Sequence, residues 1–156
     1  DMIKNKLPEI TLRTTFIVGF PTETEKEFEE LLSFIKKYKF DRVGAFKYSR
    51  EEGTYASTLE PQITSKVKMY RYDKLMTLQR SISKRKNSNL VGNVFKVLAE
   101  RYDPDRRLFI GRSEREAPFV DGNIGFTGDC VLGEVYPVKI IKGLNYDLLG
   151  EVMTNS

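Results

Sequence analysis

Apolar residues follow two rhythms along this chain, a helical one over the first half and a strand-like one over the second. The first half opens with a short run that reads as the tail of a helix or a loop, ending at Pro8. Phe16, Ile17 and Val18 then form an unbroken apolar, largely β-branched run. Continuous rather than alternating apolarity predicts a parallel strand covered on both faces, placed here over residues 10–18. Gly19 ends that strand, Pro21 fixes a turn, and Thr22 with Glu25 and Thr24 with Glu27 both have capping-box spacing. Phe28, Leu31, Leu32, Ile35 and Tyr38 then recur three and four residues apart, predicting an amphipathic helix over residues 25–39. Acidic residues at its start (Glu25, Glu27, Glu29, Glu30) and basic ones at its end (Lys36, Lys37, Lys39) complement the helix dipole. A second strand over residues 42–48 (RVGAFKY) completes a strand–helix–strand unit, which implies parallel pairing. Residues 49–61 read as a loop turning at Gly53-Thr54. Behind Thr64 a long helix runs to about residue 87, with Val67, Tyr72, Leu75, Met76, Leu78 and Ile82 on its buried side.

From Leu90 the helical period disappears. Short β-rich runs at residues 94–100, 108–111, 124–127, 133–142 and 146–153 alternate with turn signals such as Asp103-Pro104-Asp105 and Asp121-Gly122-Asn123. About five strands in ~65 residues is the size of a small antiparallel five-stranded barrel of the OB-like sort. The Lys-Asn-Ser-Asn stretch at residues 86–89 marks the expected boundary, giving domains 1–86 and 87–156.

Composition narrows the chemistry. With 40% apolar residues the 156-residue chain can bury a core, and no run approaches the ~20 apolar residues needed to span a bilayer. The first residues lack the apolar segment of a secretory signal, and a single cysteine suits a reducing compartment, so a cytoplasmic location is expected. One cysteine (Cys130) and no histidine cannot supply a zinc or iron–sulfur ligand set within this sequence. Cys130 reads as a small strand or turn residue rather than a catalytic one. Net charge is +4, but residues 1–86 carry +6 and residues 87–156 carry −2 (8 basic against 10 acidic). Eight basic residues between Lys66 and Lys86 form a helix face that suits phosphate, an acidic partner or plain solvent.

Two motifs together are more specific than either alone: IVGFPTETE at residues 17–25 and FKYSREEGT at residues 46–54. They resemble the late strands of the radical S-adenosylmethionine enzymes, in particular the methylthiotransferase family. LVGNVFKVLAE (90–100) and GRSEREAPFVDG (111–122) resemble the opening of the TRAM domain that closes those proteins. The RTTF lead-in (13–16), the Glu51-Glu52 pair before Gly53-Thr54, and APFVDG (117–122) are similar to the branch acting on protein twelve of the small ribosomal subunit. Thr22 stands where the family usually has Gly, and Arg50 and Tyr55 where it usually has Pro. The CxxxCxxC motif of the family does not occur in this sequence.

The resemblance implies an α/β partial barrel of the radical type followed by the OB-like barrel, as the carboxy-terminal part of a longer enzyme. That enzyme would use S-adenosylmethionine and two [4Fe-4S] clusters to methylthiolate the β-carbon of an aspartate, and this part, without cluster cysteines, would bind no cofactor and be inactive alone. Ile17, Gly19, Phe20, Tyr48 and Ser49 are then expected at the cofactor, and Arg112, Glu114, Glu116 and Asp121 at the substrate. The net-negative barrel suits a basic ribosomal protein better than RNA, whose binding is expected to be weak. A transfer-RNA methylthiotransferase, or a non-enzymatic RNA-binding module, remain the alternatives. Ile17 equally suits core packing, and Glu114, Glu116 and Asp121 a solvated loop.

Overall fold

The acidic segment after Gly19 forms the helix its caps predict. In the computed structural model, which describes residues 2–153, a short helix α1 (Met2–Lys6) precedes strand β1 (Arg13–Val18), helix α2 (Glu25–Tyr38) and strand β2 (Arg42–Lys47). Thr24 caps α2 in a complete capping box. Its hydroxyl accepts from the Glu27 backbone N–H at 3.2 Å, and the Glu27 carboxylate accepts from the Thr24 backbone N–H at 2.8 Å. Those bonds, the backbone one foremost, hold the Glu27 carboxyl below its ordinary value. Their stabilisation is therefore present above the unfolded-state pKa and lost as pH falls through the lowered folded value. Lys39, in the left-handed conformation, closes the helix by donating its N–H to the Ile35 carbonyl at 2.9 Å.

Strand β1 starts at Arg13, three residues later than its apolar pattern suggests. Leu12 is engaged elsewhere: its carbonyl accepts from the Asp41 and Arg42 backbone N–H groups, and its own N–H donates to Asp41 Oδ2 at 2.9 Å. β1 and β2 pair in parallel from Arg13↔Arg42 to Val18↔Lys47, as the strand–helix–strand reading requires. Val18, Phe28, Leu32 and Ile35 bury themselves with Leu75 and Ile82 in one cluster. Burying each such side chain contributes about 1.5–3 kcal/mol.

The segment read as loop contains one helical turn, α3 (Tyr55–Thr58), capped by Thr54. Behind Thr64, whose hydroxyl accepts from the Val67 N–H at 3.4 Å, the long helix α4 (Ser65–Ser88) begins. Its seam differs from the apolar one expected. Arg71, Gln79, Ser83 and Asn87 are buried along with Leu75 and Ile82, whereas Val67, Tyr72, Met76 and Leu78 are only half-buried. The polar members serve backbone groups: Gln79 Nε2 donates to the Phe40 carbonyl at 3.2 Å, and Asn87 Nδ2 to the Leu144 carbonyl at 3.0 Å. The chain divides into two compact units, Asp1–Ile82 and Ser83–Ser156, with the division inside α4. Among the described residues, no helix is long and apolar enough to cross a membrane.

The second unit is a closed barrel of β3 (Val94–Asp103), β4 (Leu108–Arg112), β5 (Ile124–Thr127), β6 (Val135–Gly143) and β7 (Leu148–Val152), in the ring order β3-β4-β5-β7-β6. The expectation of an antiparallel barrel is corrected here. Four pairs are antiparallel, but β5 and β7 run parallel, from Ile124↔Leu148 to Thr127↔Glu151. A closed ring of five strands cannot alternate direction throughout, because an odd number forces at least one parallel neighbour. β3 spans both sides of the barrel, pairing with β6 through residues 94–98 and with β4 through residues 98–103, with a register shift between Ala99 and Arg101. Val97, Ala99, Ile124, Phe126, Val138, Ile140 and Leu148 fill the interior. Gly111 permits close strand contact: a Cβ there would lie 2.0 Å from the Leu98 carbonyl oxygen.

Candidate functional site

Two places carry the residues singled out from the sequence: the carboxyl ends of β1 and β2, and the loop after β4. At the first, Gly19 turns out of β1 with φ +70. Its N–H donates to Glu23 Oε2 at 2.7 Å, and the same oxygen accepts from Arg71 Nη1 at 2.5 Å. Arg71 Nη1 also donates to the Glu23 carbonyl at 3.0 Å, and Nη2 reaches Glu25 Oε2 at 3.3 Å. The strand-end turn is thus braced by a buried guanidinium from α4. Arg71 had counted, in the sequence, as part of an open basic face. The structure removes it from that face, since its side chain is 5% exposed.

Gly19, Phe20 and Tyr48 come together. The Phe20 and Tyr48 rings meet edge-on with centroids 5.3 Å apart. Lys68 Nζ lies 4.9 Å from the Tyr48 ring centroid and donates to the Tyr48 carbonyl at 2.9 Å. The Tyr48 N–H donates to the Val18 carbonyl at 2.9 Å. The backbone edge expected for a ligand is therefore partly taken up by Glu23, Lys68 and β1. Ser49 follows, exposed. Ile17 is exposed rather than core, and its register partner Phe46 is exposed beside it. Sequence reasoning missed Phe46, Glu23 and Lys68. The alternation in RVGAFKY marks Phe46, while no local pattern pairs Glu23 with a residue 48 positions away.

Thr22 has φ +69, a conformation costly for a β-branched side chain. It stands where the resembling pattern usually has glycine. Left-handed geometry costs an L-residue about 1–2 kcal/mol, and glycine's extra unfolded-state freedom returns about 0.5–1 kcal/mol of that. Thr22→Gly is thus expected to raise stability by up to about 1 kcal/mol. A urea midpoint at or below that of the unsubstituted chain would contradict this.

In the barrel loop the four expected substrate residues part company. Arg112 Nε bonds Glu100 Oε1 at 2.7 Å, tying β4 to β3. Glu116 is buried and accepts from the Ser113 N–H at 3.0 Å and the Ser113 hydroxyl at 2.6 Å, so it organises the loop from within. Asp121 Oδ2 accepts from the Ala117 N–H at 2.8 Å and closes the loop's far end. Of the four, Glu114 alone is exposed. Of the neighbouring arginines, Arg106 pairs with Asp103 at 3.8 Å and Arg115 lies 5.6 Å from the Phe95 ring centroid. Burial first, and Asp129 second, push the Cys130 thiol above its ordinary pKa, which disfavours the nucleophilic thiolate. Among the described residues no group of three or more His, Cys, Asp or Glu side chains could hold a metal ion.

This barrel is a TRAM domain: residues 91–153 match the model of that family. Along nearly its whole length the chain is also similar to proteins named ribosomal protein uS12 methylthiotransferase RimO. It is 46% identical over 156 residues to that of Syntrophotalea carbinolica, covering 99% of this chain and 34% of the relative. It is 48% identical over 150 residues to that of Thermosynechococcus vestitus (96% and 34%), and 46% identical over 158 residues to that of Acetivibrio thermocellus (100% and 35%). The chain spans about a third of the length of the curated relatives it matches.

Proposed function

We propose that the chain is the carboxy-terminal part of an enzyme that methylthiolates the β-carbon of an aspartate in ribosomal protein uS12. Residues 1–86 would end its radical S-adenosylmethionine domain, and residues 87–156 would form the domain that recognises the substrate. The observation that carries this reading is identity of 46–48%, spread over nearly every residue of the chain, with proteins of that name. In the intact enzyme, S-adenosylmethionine with [4Fe-4S] clusters supplies the radical chemistry and the methyl group. The cluster ligands would come from outside this sequence, which has one cysteine and no histidine.

The strand ends fit a wall of an adenine-sized site. Ile17 and Phe46 offer adjacent exposed apolar side chains, and Phe20 with Tyr48 offers an aromatic corner. Gly19 leaves the turn without a Cβ, and the Arg71–Glu23 brace holds that turn in place. These residues would orient the nucleoside and keep water from it. For the barrel, with a charge of −2 over residues 87–156 and Arg112 tied to Glu100, a basic protein fits better than a phosphate backbone. The deciding experiment incubates the full-length gene product, its clusters reconstituted, with purified uS12 and, separately, with transfer RNA. Mass spectrometry is expected to find the methylthio group on an aspartate of uS12. The same group on transfer RNA alone would overturn the assignment.

A further inference from the structure

The loop over residues 113–122 is held firmly at its base and bare at its tip. Its base is closed by the buried Ser113–Glu116 pair, the Ala117–Asp121 bond, and backbone bonds from the Val120 and Asp121 N–H groups to the Ala117 carbonyl at 3.4 and 3.3 Å. Gly122 then packs against the Tyr146 carbonyl, where a Cβ would lie 2.1 Å from the oxygen. At the tip the side chains turn outward. Phe119 has a relative exposure of 108% and Val120 of 70%. Phe119 also has φ +62, a conformation bulky residues rarely adopt.

We propose that Phe119, with Val120 beside it, is a preformed hydrophobic anchor that inserts into an apolar cleft of the basic protein substrate. A fixed loop presenting an aromatic ring loses little conformational freedom on binding, and buried aromatics dominate interface energies. Strained backbone at a fully exposed aromatic gains nothing inside the free chain, which is the pattern of a contact completed by a partner. Charge selects the partner's class. Glu114 is exposed in the same loop, and residues 87–156 carry −2, whereas a protein built to pack against ribosomal RNA is basic. Arg112, just before the loop, is paired with Glu100, and Arg115 within it lies over the Phe95 ring. The anchor rests on the reading that uS12 is the substrate and adds the side chain that grips it.

The test titrates the 156-residue chain against purified uS12 at physiological salt, with Phe119→Gly, Val120→Ser and Thr127→Ser as variants. Glycine accepts φ +62 without strain, so Phe119→Gly is expected to keep or raise the melting temperature, as at Thr22, and to bind uS12 about 30-fold or more weakly. Val120→Ser is expected to weaken binding less, and Thr127→Ser not at all. Binding of Phe119→Gly within about twofold of the unsubstituted chain overturns the anchor. If the full-length gene product still modifies uS12 in that case, only the anchor falls. If it does not modify uS12, the substrate reading falls with it. A self-association lost in Phe119→Gly, or RNA binding lost in its place, would also overturn the proposal by naming a different occupant.

Discussion

Replacing Arg71 with alanine is expected to cost the first unit about 3–5 kcal/mol, the range for breaking a buried ion pair from one side. The guanidinium contacts two carboxylates and the Glu23 carbonyl, and it lies 5.4 Å from the Phe28 ring centroid. Removing it strands the Glu23 carboxylate, whose side chain is only 13% exposed, against the Gly19 N–H. It also takes packing from a ring that is fully buried. The pair as a whole is worth far less than this loss. Arg71→Met combined with Glu23→Gln is expected to recover much of it, since neutral packing removes the stranded charge. A double-mutant cycle read by hydrogen exchange at α2 amides checks both statements. A loss below about 1 kcal/mol for Arg71→Ala would place the pair with ordinary surface salt bridges. Because Glu23 also holds the Gly19 N–H, the same substitution should loosen the strand-end turn.

How much of this was legible depends on the range of each interaction. Three-residue spacing offered two capping boxes, Thr22 with Glu25 and Thr24 with Glu27, and the structure takes the second, with Thr22 in the turn before it. The parallel pairing of β1 with β2 was readable because a crossover helix of that length permits little else. The family, too, was legible, since IVGFPTETE and FKYSREEGT put specific residues at both strand ends. The brace by Arg71 was not: its partners lie 46 and 48 residues away, and a basic residue on a helix rich in Lys and Arg looks solvated by default. Glu116 misled for a similar reason. A carboxylate in a charged loop reads as exposed until its Ser113 partner is seen to fold under it. Phe119 was visible in APFVDG, but only the fold shows that it points at nothing. The parallel β5–β7 pair is a different case, because five strands in a closed ring already exclude full antiparallel order.

In the barrel, Phe126→Ala is expected to cost about 3–5 kcal/mol, the usual range for emptying a buried aromatic site. Phe126 is fully buried and lies in the cluster with Val97, Val138 and Ile140. Its ring stacks on Phe109 at 6.0 Å between centroids, and its backbone sits between β4 and β7, opposite Phe109 and Gly150. β5 is only four residues long and carries the one parallel contact that closes the ring, so a void there lies at the barrel's seam. Domains of this size hold only a few kcal/mol in total, so the loss is comparable to the barrel's whole stability. Phe126→Leu keeps most of the volume and is expected to cost clearly less. Segment-resolved hydrogen exchange separates the cases. Phe126→Ala should remove protection from β3 through β7 while the α2 amides keep theirs, because Phe28, Leu32 and Ile35 pack in a different core. Protection lost only at β5, with β3 and β6 unchanged, would mean that the ring can open at this strand without unfolding.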